Sequence, residues 1–224
     1  MNDDLETRQR LLEAAARLFA RRGFNDVTVR EICREAHANV AAINYHFHDK
    51  IGLYTEVVRT AIEAIRGTSH TARQAGEGAS AGEKLRIYIR VFLQRIAANG
   101  RDAWIHQLIG REIADPTPAF DLIIDQAIRP RLEYLAGLVS ELLGCPPADD
   151  RVMKCVASIQ SQLLLCLNAT VARVYPKFNL TPPAIDQLAG HIAAFSLGGI
   201  HALKQDPAAT PVAVPRGRGR RRAS

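Results

Sequence analysis

The chain has 224 residues, 47% of them hydrophobic, which is enough for a sizeable core in one or two domains. It has no apolar run of 18 or more residues, and its acidic start differs from a secretion signal, so we expect a cytoplasmic protein without membrane association. The net charge is +6, but residues 204–224 hold six basic and one acidic side chain, so most of the excess lies there. The rest of the chain is therefore close to neutral, and any affinity of that part for a charged partner must come from local placement of side chains.

The first predicted helix spans residues 6–22. Leu11, Ala15 and Leu18 recur at the spacing of an amphipathic helix, and Gly23 is the predicted C-cap. This helix is expected to serve mainly as scaffold.

A helix-turn-helix is predicted over residues 28–53. Thr28 and Glu31 have the spacing of a capping box, which sets the start of its first helix. A turn follows at His37, and Asn39 is the predicted N-cap of the next helix. The outward residues of this second helix are small or able to form hydrogen bonds.

A fourth helix is predicted from its cap at Asp49 to about Arg66. Residues 67–80 are rich in small and polar side chains, which predicts a linker or a frayed helix end and places the domain boundary there. Ser80 and Glu83 then have the spacing of another capping box.

The rest of the chain has helical periodicity, and no useful stretch alternates with period two, so the protein is predicted to be all-α. Pro118 is expected at the start of a helix capped by Thr117, and Pro130 is expected to kink it. The five helices expected here cover residues 80 to about 99, 102–113, 118–143, 149–174 and 181–204.

The last two helices are apolar around much of their circumference and carry small residues at close spacing. A helix with more than one apolar side must bury more than one side. Either a partner chain or a core within one chain could cover these faces. The small residues are Ala157, Ser161, Gly190, Ala194 and Gly198.

Three motifs occur in order, within residues 8–24, 28–32 and 45–53, and the last has the form Tyr-His-Phe-x-x-Lys-x-x-Leu. At these spacings they resemble the DNA-binding domain of the TetR family of transcriptional regulators. Ala41 stands where the family usually has Gly, and Asn44 where it usually has Tyr. Both lie on the recognition helix, so the family's base preference is not carried over.

Residues 111–120 and the following Ile128-Arg129-Pro130 resemble the CecR-like subgroup. The family likeness implies an N-terminal three-helix domain, a connecting helix and a C-terminal ligand-binding and dimerisation domain, about nine helices in all. The corresponding ranges are 1–48 for the helix-turn-helix domain, 49–66 for the connecting helix, 67–205 for the effector-binding and dimerisation domain, and 206–224 for a disordered Arg-rich tail.

The resemblance implies a homodimer joined through its last two helices, residues 150–203, and bound to a palindromic operator in double-stranded DNA. It further implies a repressor that an unknown small-molecule effector releases from DNA. The alternative is a DNA-binding architectural or activator protein without an effector. An enzyme and a cofactor are not expected, because no G-x-S-x-G, P-loop, dinucleotide or H-E-x-x-H motif occurs.

Among the predicted DNA contacts, the guanidinium of Arg30 suits guanine but equally suits a phosphate. Asn44 suits the edge of adenine, and Ala41 or Ala42 suits the methyl group of thymine. Lys50 lies at a helix start, where backbone amides also favour phosphate. The full predicted set is Thr28, Arg30, Asn39, Ala41, Ala42, Asn44, Tyr45, His46 and Lys50.

An effector pocket is predicted among the middle helices. Arg111 and Glu112 are assigned to it, although they equally suit a structural ion pair at a helix end. The predicted lining is Phe92, Trp104, His106, Leu108, Arg111, Glu112 and Phe120.

No metal site is expected, because His37, His46 and His48 lack a completing carboxylate or cysteine, and the four cysteines lack ligand spacing. The Pro- and Gly-rich tail carries five arginines from Arg216 to Arg222. These arginines either bind DNA without sequence preference or only aid solubility.

Overall fold

The computed structural model describes residues 2–97, 103–166, 174 and 181–205. These ranges are helical and contain no strand, which confirms the all-α prediction. A π-helical turn at Ile124–Ile128 joins the seventh and eighth helices without a break, so nine separate helical segments are described. The helices are α1 (Asn2–Arg22), α2 (Val29–Ala36), α3 (Val40–Phe47), α4 (Lys50–Ala75), α5 (Ala81–Ala97), α6 (Ala103–Ala114), α7 (Phe120–Ile123), α8 (Arg129–Leu143), α9 (Asp150–Leu165) and α10 (Pro182–Gln205).

The predicted helix starts in the DNA-binding region are confirmed. The Thr28 hydroxyl accepts from the amide of Glu31 at 3.3 Å, and the Glu31 carboxylate accepts from the Thr28 amide at 2.8 Å. Asn39 accepts from the amide two residues on at 3.0 Å, and Asp49 from the amide three residues on at 2.7 Å. Each side chain satisfies an amide that has no partner inside its helix.

The predicted end of the fourth helix at about Arg66 is wrong, because α4 continues to Ala75. Ala72 in the added part is buried. The polar residues that suggested a linker are satisfied within the helix, since their hydroxyls donate to carbonyls four residues earlier. These residues are Thr68, Ser69 and Thr71.

The expected kink at Pro130 takes the form of the π-helical turn Ile124–Ile128, and α8 begins directly after it. Proline has no amide to donate to the carbonyl four residues earlier, and its ring crowds that carbonyl. A wider preceding turn accommodates both effects. The predicted start of the 118–143 helix at Pro118, with Thr117 as its N-cap, is wrong, because α7 begins at Phe120 without a side-chain cap. The Thr117 hydroxyl accepts from the Ala119 amide at 3.2 Å in the turn before the helix.

Two hydrophobic cores organise the fold. The first joins α1, α2, α3 and most of α4, and the second joins α5, α8, α9 and α10 with Ala72 of α4. The first core also includes Ile105 and Leu108 of α6, and Ile123 and Ala127 of the α7 region. One face of α6 is therefore packed into the core of the helix-turn-helix region, although α6 falls within the predicted effector-binding range.

Three features predicted from the sequence lie outside the described residues. They are the helix stop at Asn99-Gly100, the last part of the predicted 149–174 helix beyond Cys166, except Val174, and the tail at 206–224.

Candidate nucleic-acid interface and ligand cavity

One surface of α2 and α3 presents most of the predicted DNA contacts to solvent. Tyr45 is 73% exposed, the most open large hydrophobic side chain on α3. Since α3 is buried only at Ile43 and Phe47, its opposite side is free to meet a partner. The exposed predicted residues are Thr28, Arg30, Asn39, Ala41, Asn44 and Tyr45, while Ala42, His46 and Lys50 are half-buried.

Arg30 is exposed on α2 and makes no hydrogen bond or ion pair with the described residues. Its neighbour Glu31 instead pairs with Arg22 at 2.7 Å. Bonds from Arg22 and from Thr28 hold the pKa of Glu31 at about 2, so this carboxylate stays charged and engaged. The guanidinium of Arg30 is thus left available for a phosphate or a base edge.

His46 differs from the expectation of a DNA contact, because its side chain is only 8% exposed. Its Nε2 lies 3.4 Å from the Asp4 carboxylate of α1. The ring also contacts the rings of Tyr45 and Phe47. His46 is therefore placed to fix α3 against α1 rather than to project from the surface.

Lys50 lies at the start of α4, with its Nζ 4.3 Å from the centroid of the Phe24 ring. Burial lowers the pKa of Lys50, and the negative charges of Asp26 and Glu31 oppose this shift. The cation–π contact holds the ammonium near the turn between α1 and α2.

A cavity of about 700 Å³ lies between α4, α5, α6, α8 and α9. Most of its lining side chains are apolar. Of the predicted pocket residues, Phe92 and His106 line this cavity. Leu108 is buried in the first core and Trp104 packs against it, and Phe120 starts α7, so these three are placed elsewhere.

Arg111 holds α6 to the end of α1. Its Nε donates to the carbonyl of Ala20 at 2.9 Å, and its terminal nitrogen Nη2 donates to the carbonyl of Arg21. These carbonyls belong to the last turn of α1, where a cation is favourable.

Glu112 is buried, with 1% of its surface exposed, and it accepts three hydrogen bonds. The donors are the Tyr54 hydroxyl of α4, and the Thr117 amide at 3.2 Å and hydroxyl at 3.1 Å. Burial raises the pKa of Tyr54 far above its usual range, and the hydrogen bond to Glu112 and its negative charge raise this pKa further. Arg111 and Glu112 therefore form no ion pair with each other, and each ties α6 to a helix of the DNA-binding region.

Four polar residues that the sequence analysis did not single out lie at the cavity or at the contact between α4 and α6: Tyr54, Tyr88, Arg131 and Gln160. The last three line the cavity, and the Gln160 amide donates to the Tyr88 hydroxyl at 2.7 Å. Burial raises the pKa of Tyr88, and the nearby positive charge of Arg131 opposes that rise. The sequence signal that could have identified these residues is a polar side chain at a position where the helical periodicity predicts an inward face.

A wide apolar surface is exposed along α9 and α10. Phe195 of α10 is 68% exposed, and Met153 and Leu165 of α9 are 53% and 52% exposed. A Cβ added to Gly190 or Gly198 would meet no atom within 4 Å, so this side of α10 has open space beside it. All five small residues noted in the sequence are exposed.

Two further kinds of feature are absent from the part of the chain that the structure describes. It contains no cluster of three or more His, Cys, Asp or Glu side chains that is placed to hold a metal ion. None of its helices is long and apolar enough to cross a bilayer.

Comparison with family models gives two matches. Residues 11–57 match the model of bacterial regulatory proteins of the tetR family. Residues 81–200, more than half of the 224-residue chain, match the C-terminal domain of the HTH-type transcriptional dual regulator CecR.

Similar individual proteins agree with these matches. The HTH-type transcriptional dual regulator CecR of Shigella flexneri is 29% identical over 156 residues, which cover 66% of this chain and 70% of that protein. The TetR family regulator PfmR of Thermus thermophilus has a TM-score of 0.61 at 19% identity, covering 84% of this chain and 97% of PfmR. The ketosteroid transcriptional regulator KstR2 of Mycobacterium tuberculosis has a TM-score of 0.60 at 22% identity, covering 86% and 93%.

Proposed function

Because the chain belongs to the TetR family of transcriptional regulators and carries a CecR-type C-terminal domain, we propose that it is a homodimeric repressor in the cytoplasm. It binds a palindromic operator and leaves it when a small molecule enters the cavity. Its relatives are regulators and not enzymes. The observation that carries this proposal is the position of α6, which borders both the cavity and the DNA-binding helices.

The two faces of α6 supply the link between ligand and DNA. Ile109 and Ile113 line the cavity, while Arg111 and Glu112 bind α1 and α4. A ligand that presses on the cavity side of α6 therefore changes contacts that position the helix-turn-helix. Such coupling requires that the ligand bind the two arrangements with different affinity.

The cavity also bears on the choice between an effector-responsive repressor and a DNA-binding protein without an effector, which the sequence left open. An architectural DNA-binding protein has no need of an apolar cavity between its helices, whereas a volume of about 700 Å³ is in the range of sites for small molecules. The cavity therefore favours a regulator that responds to an effector.

Dimerisation through α9 and α10 is supported by their uncovered apolar surface. Large exposed apolar patches usually mark an interaction site. A two-fold dimer places its two α3 helices roughly 34 Å apart, or a multiple of it, in successive major grooves of a palindromic site. Replacing the exposed Phe195 with Asp should yield monomers in light scattering, whereas Ile51→Asp, at another exposed apolar residue, should not; unchanged dimers in Phe195→Asp would contradict this interface.

The DNA contacts can be tested once an operator is found by sequencing the genomic fragments that the purified protein retains. Lys50→Ala should weaken binding to operator and random DNA alike, and lower the salt slope by about one unit. Arg30→Ala should cost about 1–3 kcal/mol on the operator only, if the guanidinium reads a base. Equal weakening on both DNAs would assign Arg30 to a phosphate.

The control is Arg86→Ala, which makes the same change in net charge on α5, where Arg86 pairs with Glu83 at 3.2 Å. It should leave both affinities unchanged. A retained operator without inverted symmetry would contradict the dimeric mode of binding.

A further inference from the structure

We propose that the cavity selects amphipathic anions, in which a carboxylate or sulfonate is attached to an apolar body. This inference rests on the proposed effector function and adds the chemical class of the effector. It follows from three features of the cavity: its apolar wall, a cation without an opposing charge, and a buried polar pair with bonding capacity to spare.

The apolar wall accounts for most of the lining. A ligand with a hydrocarbon or aromatic body gains free energy by removing its own surface and that of the wall from water. Ile113 of α6, exposed at the rim and away from α9 and α10, leaves a route for entry. The apolar lining residues include Ile65, Val91, Ile109, Ile128, Leu132 and Val156.

Arg131 supplies a positive charge to the cavity. Its guanidinium carbon lies 5.4 Å from the centroid of the Phe92 ring, and its Nε is buried without a hydrogen-bond partner. None of the described residues that line the cavity is acidic, whereas Arg95 and His106 are also in the lining. A guanidinium beside an apolar cavity with no counter-charge is unfavourable. An anionic ligand supplies that charge, and its oxygens suit the donors of arginine.

The buried polar pair lies beside this cation. Tyr88 and Gln160 are 2% and 7% exposed, and Gln160 Oε1 has no partner. With the amide of Gln160 donating to Tyr88, the hydroxyl proton of Tyr88 remains available. Turning the amide end for end would instead free its N–H groups. In the first arrangement the pair offers the Tyr88 hydroxyl proton beside the free acceptor Gln160 Oε1, and in the second it offers the amide N–H groups. An anionic oxygen therefore finds a hydrogen-bond donor in both arrangements, and the positive charge of Arg131 decides between an anion and a cation.

Two dyes that share one aromatic body and differ by a sulfonate group test the proposal directly: 1-anilinonaphthalene-8-sulfonate and N-phenyl-1-naphthylamine, which lacks the sulfonate. Their binding to the full-length protein is measured by fluorescence titration. Arg131→Met should weaken the sulfonate dye at least about tenfold, as expected when one member of a buried charged pair is lost, and the neutral dye less than about twofold. Arg131→Lys should keep part of the preference, because it keeps the charge but not the planar donor set.

The matched control is Arg129→Met on the same helix. Arg129 is exposed and pairs with Asp125 at 3.0 Å, so both dyes should bind this variant as they bind the parent. Gly110→Phe adds apolar volume at a lining position where a Cβ meets no atom within 4 Å, and it should reduce the binding of both dyes.

Equal weakening of the two dyes by Arg131→Met would overturn the proposal, because Arg131 would then act by shape alone. Undiminished binding of both dyes by Gly110→Phe would overturn it as well, because the dyes would then bind outside the cavity. Operator release is measured on the same samples. Anion selectivity without release would contradict the proposed effector function and leave the ligand class standing, whereas release by both dyes without selectivity would contradict only the ligand class.

Discussion

The hydrogen bond between Tyr54 of α4 and Glu112 of α6 gives the sharpest test of how the two cores are joined. Tyr54→Phe removes one hydroxyl and keeps the ring, which packs at 4.9 Å from the centroids of both Phe19 and Phe24. The carboxylate of Glu112 loses one of its three donors in a buried site. Since a hydrogen bond to a charged group contributes about 1.5–3 kcal/mol, the free energy of unfolding should fall by that amount.

Glu112→Ala should cost more, about 3–5 kcal/mol, because it leaves Tyr54 and Thr117 without their acceptor and opens a cavity. In the double variant, loss of the Tyr54 hydroxyl should add little, since its partner is already gone. The double variant should therefore be less destabilised than the sum of the single variants by about 1–3 kcal/mol.

Urea unfolding measures these differences, with all variants compared at one protomer concentration because the proposed dimerisation would add to apparent stability. The single tryptophan, Trp104, lies on α6 and packs against the first core, so its fluorescence reports on this junction. Tyr134→Phe is the control, since Tyr134 packs against Tyr88 and Arg73 and its hydroxyl makes no hydrogen bond with the described residues. It should change stability by less than about 0.5 kcal/mol.

The same variants test the proposed coupling between the cavity and the DNA-binding helices through α6. Tyr54→Phe should bind operator DNA but respond less to a cavity ligand, since α6 is then held to α4 less firmly. Strictly additive single and double variants, or a Tyr54→Phe cost no larger than that of Tyr134→Phe, would refute the assigned bond.

Three further predictions follow from local features. A Cβ on Gly52 would lie 2.0 Å from the carbonyl oxygen of Phe47, so Gly52→Ala should destabilise the protein by about 1–3 kcal/mol, whereas Gly67→Ala on the same helix has open space and should stabilise it by about 0.5–1 kcal/mol; urea midpoints decide this. The pKa of Glu31 is lowered from 4.5 to about 2, so its contribution to stability is complete above pH 4.5 and is lost as the pH falls toward 2. Thermal melts of Glu31→Gln should therefore decline less steeply than the parent in that window, and parallel curves would contradict the shift. Ending the chain at Gln205 should flatten the salt dependence of DNA binding, since each phosphate contact contributes about 0.9 to the slope, and equal slopes would show that the tail does not touch DNA.

The helix starts were predictable because their causes are local. Thr28, Asn39 and Asp49 each bond an amide two or three residues away, so identity and spacing in the sequence are sufficient. The family motifs likewise depend on residue identity and spacing, so they predict the order of the first helices. The end of α4 was missed because hydroxyl residues suit either a linker or a helix, and only the burial of Ala72 and the internal bonds decide between them.

Most residues of the predicted DNA face are exposed, as expected because the periodicity of α3 shows which side is apolar. Exposure follows from that periodicity, as for Tyr45 and Asn44. His46 departs from the pattern because α1 brings Asp4 against it from 42 positions earlier in the chain.

The cavity and its connection to α6 depended on tertiary structure alone. Periodicity indicates that Arg111, Glu112 and Gln160 lie on particular sides of their helices, but not which helix each side meets. The bonds that give them their roles join residues far apart in sequence, 91 positions for Arg111 with Ala20, 58 for Glu112 with Tyr54, and 72 for Gln160 with Tyr88. Such contacts are fixed when whole helices pack into a shared core, because packing selects one set of neighbours from many that the same pattern of apolar residues would allow.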